Sequence, residues 1–227
     1  MIAFVLSAAF ALQSEELAAA AKKASEMASY AFKIDTKSNG KGANKLPGVE
    51  GRYEKDKAQA LKVNGTDTFR KAGLVVVKDG EGWKRLEKPA KGEKPARGTL
   101  TIQTFGGIKL PHEELSDFEK GFEKVEKSAD GDLAVYSGAL TPVGARAAAS
   151  TGSKAEGKAT LTYSGTAKVW VDKDGVIVKY EIAVKAKGTV REKEVEQSLT
   201  RTVQLSEVGS AKVEVPEAAA KALGGQS

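Results

Sequence analysis

Residues 176–187 read VIVKYEIAVKAK, and apolar residues alternate with charged or small ones along most of this segment. Side chains on a β-strand point alternately to the two faces of its sheet. Antiparallel sheets tolerate one face in water, whereas parallel sheets are usually covered on both. The pattern therefore predicts an antiparallel strand with one apolar face, formed by Val176, Val178, Tyr180, Ile182, Val184 and Ala186.

Strands of the same kind are predicted on both sides of this segment. Residues 161–171 alternate apolar side chains with Thr and Lys, and DKDG at 172–175 indicates a hairpin turn. Residues 197–205 continue the alternation after it. Shorter patterns occur at residues 30–34, 49–54, 59–63 and 74–77. Together they predict a broad antiparallel sheet with one apolar surface, which other elements must cover.

Two residues depart from the alternation. Arg201 lies on the apolar face of its strand, where a cation can snorkel at an edge, pair with an acid or meet an anionic lipid head group. Trp170 lies on the polar face, where it packs against a neighbouring element or lines the rim of a lipid site.

Amphipathic helices are predicted to cover the sheet. The first begins near Ser14, which can cap it, with two acidic residues in the first turn and an Ala-rich face. The second is predicted from an apolar stripe formed by Leu115, Phe118, Phe122 and Val125.

Length and composition limit the function classes. A chain of 227 residues with 41% hydrophobic residues suits a single domain with its own core. The net charge of +6 is dispersed among Lys residues, and aromatic residues make up only 6%, which argues against nucleic-acid binding. The lack of Cys excludes disulfides, thiol catalysis and an N-terminal lipid-attachment cysteine. Dispersed Lys favours weak peripheral contact with anionic membranes.

The N-terminal residues MIAFVLSAAFALQ form an uncharged apolar stretch that is too short to span a bilayer. The small-x-small pattern at Ala9-Phe10-Ala11 fits a signal-peptidase site, although no Lys or Arg precedes the stretch. We predict a cleaved signal peptide at residues 1–13, rather than a buried helix start. Residues 14–227 are then one domain, periplasmic or secreted, and we expect a monomer.

No catalytic set can be assembled from the sequence. His112 is the sole histidine and is interpreted as a helix-start residue rather than a general base. The chain has no nucleophile elbow, phosphate loop or dinucleotide fingerprint, and Asp172-Lys173-Asp174-Gly175 lacks the later ligands of an EF-hand. We therefore predict no catalytic residue, cofactor or metal ion.

The order of several short motifs resembles the LolA-like and LppX/LprG-like superfamily of bacterial envelope lipid and lipoprotein carriers. These motifs are YAFKI at 30–34, VEGRY at 49–53, FRK at 69–71, VVVK at 75–78, GW at 82–83, VYSG at 135–138, VWVDKDG at 169–175, LSEVG at 205–209 and VP at 215–216. The resemblance implies an α+β, mainly β fold: a strongly curved antiparallel sheet, or incomplete barrel, with helices covering its concave face. It also implies that acyl chains bind between sheet and helices.

Two main hypotheses for function follow. The first is an exported, non-catalytic protein that holds acyl chains of a lipid or lipoprotein, with envelope membrane proteins as further partners. The second is a ligand-free sensor or interaction module of the same fold, and the two differ in whether the helix–sheet gap is hollow. An enzyme with an unrecognised carboxylate site is a third, lesser hypothesis. For the first hypothesis, the candidate ligand-binding residues are Leu61, Val63, Val76, Phe118, Phe122, Leu161, Tyr163, Val178, Tyr180, Ile182, Arg201 and Val203.

Overall fold

The structure is a computed structural model that describes residues 15–40, 48–87, 101–102, 105, 108–118, 121–149, 159–190 and 192–224. The predicted signal peptide at residues 1–13 lies outside these ranges. The described residues form one eleven-stranded sheet and several short helices. Every strand pair is antiparallel and the sheet does not close on itself, which confirms the predicted mainly β, incomplete-barrel architecture.

The sheet consists of two meanders joined at their first and last strands. Its strands are β1 (Ser29–Gly40), β2 (Val49–Glu54), β3 (Gln59–Val63), β4 (Thr66–Lys71), β5 (Leu74–Asp79), β6 (Gly82–Arg85), β7 (Glu126–Asp130), β8 (Leu133–Leu140), β9 (Ala159–Val171), β10 (Ile177–Val190) and β11 (Lys193–Ser206). Their order is β6-β5-β4-β3-β2-β1-β11-β10-β9-β8-β7, so the long pairing of β1 with β11 holds the two meanders together.

The turn between β9 and β10 forms as the DKDG motif predicts. The Asp172 carboxylate accepts hydrogen bonds from the backbone N–H groups of Asp174 (2.9 Å) and Val176 (2.8 Å), and Gly175 supplies a positive φ of 72°. A bulge follows, because the register with β9 shifts between Ile177 and Lys179. An extra residue in a strand reverses which side chains point inward.

The described helices are short. They are α1 (residues 15–25), α2 (Pro111–Phe118), α3 (Pro142–Ala149) and α4 (Glu217–Ala222). The predicted apolar stripe on the second helix is wrong in extent, because α2 ends at Phe118 and Phe122 instead forms a β-bridge with Leu140. Pro111 and the acidic pair Glu113 and Glu114 favour the start of α2, since Pro suits the first turn and acids suit the positive end of the helix dipole.

The sheet has a buried side and a more open side. The main core lies on one side, which we call the inner face; α1, α2 and α3 contribute buried residues to it or pack against it. A smaller cluster lies on the opposite, outer face, where α4 and the preceding tail pack against β4 to β6; its buried members are Ala58, Phe69, Val76, Val213 and Ala219.

Candidate ligand-binding site

The inner face is a continuous apolar surface. Alternate residues of the strands from β5 across to β8 contribute to a single hydrophobic cluster. The alternation of the sequence places these side chains together, because residues two apart on a strand share a face. Fully buried members from the sheet are Tyr30, Val63, Val75, Val169, Ile177, Tyr180, Ile182 and Val203.

The described part of the segment 105–118, which ends in α2, covers this surface. We call residues 105–118 the cover. Phe105, Leu110 and Leu115 have no exposed surface and belong to the same cluster as the strand residues beneath them. Burying a side chain of this size contributes about 1.5–3 kcal/mol, so the three together bind the cover firmly.

A buried polar network ties α2 to the middle of the sheet. The Glu114 carboxylate forms an ion pair with the Arg201 guanidinium on β11 and accepts a hydrogen bond of 2.7 Å from the Tyr180 hydroxyl on β10. Glu114 is 5% exposed and Arg201 8%, so both charges are desolvated. Burial, and secondarily the nearby Glu114 carboxylate, raises the pKa of Tyr180 well above its usual value, so the phenol remains a donor.

A second contact joins the start of α2 to β1. The Tyr30 hydroxyl lies 2.5 Å from Nδ1 of His112, and the His112 ring packs against Tyr53 with ring centroids 4.5 Å apart. Burial lowers the pKa of His112 and raises that of Tyr30. The neutral imidazole with its proton on Nε2 therefore accepts the hydrogen bond that the Tyr30 hydroxyl donates.

A third contact joins the cover to β4. The Arg70 guanidinium donates hydrogen bonds to the backbone carbonyls of Phe105 (2.5 Å) and Ile108 (3.0 Å), and also to the Gln59 side chain (2.5 Å). Three strand regions thus hold the cover through polar groups: β4 through Arg70, β1 through Tyr30, and β10–β11 through Tyr180 and Arg201. We call these three contacts the tethers.

Where described residues line it, the space between the cover and the sheet is small. The cavity that Glu114, Ile182, Leu140 and neighbouring described residues line between α2, α3 and the sheet measures about 20 Å³. Such a volume holds roughly one water molecule and no acyl chain. Among the described residues, no three His, Asp or Glu side chains converge on a position that could hold a metal ion. None of the described helices is long and apolar enough to cross a membrane.

Two solved structures share this architecture. LprF from Mycobacterium bovis superposes with a TM-score of 0.54 and 14% identity, covering 91% of this chain and 97% of its own. The chain has the LprF- and LppX-like fold. The Mycobacterium tuberculosis lipoprotein LppX gives a TM-score of 0.51 and 12% identity, covering 90% of this chain and 98% of its own. The resemblance predicted from the sequence is confirmed at the level of the fold. No protein-family model matches the sequence, and no curated protein does.

Most of the predicted binding residues lie on the inner face of this LppX-like sheet. Leu61, Val63, Tyr180, Ile182 and Val203 are buried in the main cluster, and Phe122 and Tyr163 pack against it partly exposed. Leu161 is half-buried on the inner face of β9. The Phe118 side chain lies outside the described part of the structure. Whether any of these residues contacts a ligand stays a prediction.

The predicted inner position is wrong for two residues. Val76 belongs to the outer cluster, because Val75 and Val77 of β5 point inward. A run of three Val residues does not show from sequence alone which of them face the core. Val178 lines a groove on the outer face, because the bulge at the start of β10 makes Ile177 the buried residue instead.

The two residues that break the alternation are both packed. Arg201 pairs with an acid, Glu114, which is one of the three alternatives predicted for it. Trp170 is 6% exposed on the outer face, where its indole N–H donates to Asp130 (2.9 Å) and the Lys168 and Lys179 ammonium groups lie 4.8 and 4.2 Å from its ring centroid. Trp170 therefore packs against neighbouring strands, which is the first of the two alternatives predicted for it.

Sequence reasoning missed the tethers. Tyr30 alternates with Phe32 and Ile34 along β1, so the sequence pattern could have predicted its inner position. The pattern could not have identified Glu114, because an acid at the start of a helix gives the same signal whether it faces water or a buried Arg. Arg70 was also missed, because its partners are backbone carbonyls of a distant segment.

Proposed function

We propose that this protein is a non-catalytic binding protein of the bacterial cell envelope that holds the acyl chains of a lipid or lipoprotein between the inner face and the cover. The observation that carries the proposal is a continuous apolar surface under a separate segment that polar tethers hold in place. The LppX-like fold supports it, and so does the apolar, signal-like N-terminus.

Binding in this site requires the cover to move. The described gap is already filled by the side chains of the cover, so an acyl chain takes their place. Each buried methylene contributes about 0.8 kcal/mol, so ten methylenes contribute about 8 kcal/mol. This is comparable to the roughly 4.5–9 kcal/mol that burial of Phe105, Leu110 and Leu115 contributes, and the apolar strand residues then pack against the chain.

The predicted lining residues take defined roles in this proposal. Leu61, Val63, Tyr180, Ile182 and Val203 form the floor, and Phe122, Leu161 and Tyr163 form its margin, with Phe118 contributed by the cover. Arg201 does not face a head group in the closed form, because Glu114 neutralises it. When α2 lifts, Glu114 leaves with it, and Arg201 becomes available to an anionic ligand group.

A second candidate function has its own supporting observation. The inner gap is packed to about the size of a water molecule where described residues line it, which suits a ligand-free sensor or interaction module. The two candidates differ in a simple way. In a carrier, an acyl chain displaces the cover from the inner face. In an interaction module, the cover stays closed and partners bind to the outer surface.

Native mass spectrometry with lipid extraction, on protein purified from a bacterial envelope, tests the proposal. We expect co-purified acyl lipid on the wild type. Tyr163→Glu, which puts a charge at the inner margin, should lose it, whereas Thr162→Glu, the neighbouring residue on the outer face, should keep it. A clean apo mass that does not change in lipid mixtures would favour the interaction module.

A further inference from the structure

A second space, much larger than the inner one, lies on the outer face of the sheet. It is a groove of about 920 Å³ that crosses the strands from β10 to β4, with β6 and the tail before α4 at one end. Its volume falls within the range of small-molecule sites in proteins. Strands lie about 4.8 Å apart, so the five spacings from β10 to β4 give a length of roughly 24 Å. We call this space the outer groove.

One wall of the outer groove is polar and mainly basic. The strand registers place one outward residue of each strand in a continuous row: Lys179, Gln204, Lys33, Glu50, Lys62 and Asp67. With Arg52 and Lys78, the lining contains five cations against two carboxylates. Lys33 pairs with Glu50 (3.2 Å) and Arg52 with Glu207 (2.7 Å), whereas no described carboxylate forms an ion pair with Lys62 or Lys78.

The neighbouring row is apolar. Ala31, Ala60 and Phe69 lie side by side across the strands with Arg52 between the first two, and Trp83 and Pro216 continue the surface toward the tail. The Phe69 and Trp83 rings pack with centroids 5.1 Å apart. Small side chains on the floor and aromatic rings at the end leave room for an extended apolar group.

We propose that the outer groove binds an amphiphile with one hydrocarbon chain and an anionic phosphate or carboxylate head. The chain lies along the apolar row toward Ala31, and the head lies near Lys62 and Lys78, at the Trp83 end of the groove. This site is separate from the inner face and does not depend on the proposed function of that face.

The sheet topology favours hydrocarbon over a peptide as the occupant. The strands from β10 to β4 are paired on both sides, so their backbone groups are already bonded within the sheet. A peptide laid across them leaves its own N–H and C=O groups without backbone partners, which is costly. A hydrocarbon chain has no such groups, and the excess of cations complements a negative head.

Isothermal titration with dodecyl phosphate, below its micelle concentration, tests the proposal. We expect binding of one molecule per protein, at least tenfold tighter than dodecyl maltoside or inorganic phosphate, because chain and charge both contribute. Dodecanoate should also bind, since the site recognises negative charge. Raising the salt concentration should weaken binding, because exposed charges are screened.

Variants distinguish the outer groove from other sites. Lys62→Gln combined with Lys78→Gln should weaken binding about three- to tenfold, the effect of two exposed charge contacts. Lys185→Gln, on the same face of β10 but outside the groove, should leave affinity unchanged. Ala60→Trp should fill the groove and abolish binding, and Tyr163→Glu should have no effect.

Three results would overturn the proposal. One is no binding of dodecyl phosphate, including the case in which a carboxylate-rich peptide binds instead. The second is binding of dodecyl maltoside as tight as that of dodecyl phosphate. The third is an affinity that the Lys double variant leaves unchanged; this variant changes only the polar ends of surface residues, so misfolding cannot hide the result.

Discussion

Replacing Glu114 by Gln tests whether the buried network holds the cover to the sheet. The substitution keeps the size and shape of the side chain and an oxygen for the Tyr180 hydroxyl, but it removes the negative charge beside Arg201. The guanidinium then stays buried at 8% exposure without a counter-charge. Breaking a buried pair in this way costs about 3–5 kcal/mol. For a domain of this size, that corresponds to a fall in Tm of roughly 6–20 °C.

Urea unfolding of wild type and variants, followed by circular dichroism, measures this cost. Replacing both partners together, with Glu114→Leu and Arg201→Met, should recover most of the loss, because no charge is then left buried. With the single variants Glu114→Leu and Arg201→Met, this double variant completes a double-mutant cycle that isolates the pair energy. Glu126→Gln, in an exposed pair with Lys124, is the matched control and should change the unfolding free energy by about 0.5 kcal/mol or less. A loss below about 1 kcal/mol for Glu114→Gln would contradict this prediction, because burying a desolvated, unpaired Arg costs more than that.

Three other consequences are open to direct test. Burial lowers the pKa of His112 below the unfolded value of 6.5, so its contribution to stability is complete above about pH 6.5 and is lost as the pH falls below it. Since His112 is the sole histidine, His112→Gln should remove most of the loss in unfolding free energy between about pH 7.5 and pH 5.5; an unchanged slope would contradict the assignment. A Cβ on Gly51 would meet the Phe32 ring at 2.6 Å, so Gly51→Ala should cost about 1–3 kcal/mol in urea unfolding, whereas Gly48→Ala, with open space around it, should cost little. Leu115→Ala should lower the unfolding free energy by about 2–5 kcal/mol, and a smaller loss would mean that the cover packs loosely.

The sequence predicted the sheet well because its signal is local and repeated. Alternation along 176–187 and 197–205 indicates antiparallel pairing with one buried face, and the structure pairs Lys179–Val190 with Lys193–Gln204. The DKDG turn follows from equally local chemistry. The predictions that failed were the sheet faces of two residues, each displaced by one position along its strand. Val76 lies in a run of three Val residues, which looks apolar on either face. Val178 lies in a bulge that depends on pairing with β9.

The candidate site was only partly accessible from the sequence. Its apolar floor follows from strand parity, so Tyr180, Ile182 and Val203 were found. The tethers depend on pairs at least 35 residues apart, such as Tyr180 with Glu114, which no local pattern encodes. The outer groove was missed for a different reason. Its polar row looks like an ordinary solvated strand face until the registers align six such faces side by side.

The most direct test of the account is where an acyl chain lies in the bound protein. A neutral lipid with a photoreactive diazirine in its acyl chain can be bound, irradiated and mapped by peptide mass spectrometry. Acyl chains held beneath the cover should cross-link to the inner face and the cover, at Tyr180, Ile182 and Leu115. Cross-links confined to the outer groove, at Ala60 or Trp83, or no cross-link at all, would contradict the claim that acyl chains are held beneath the cover.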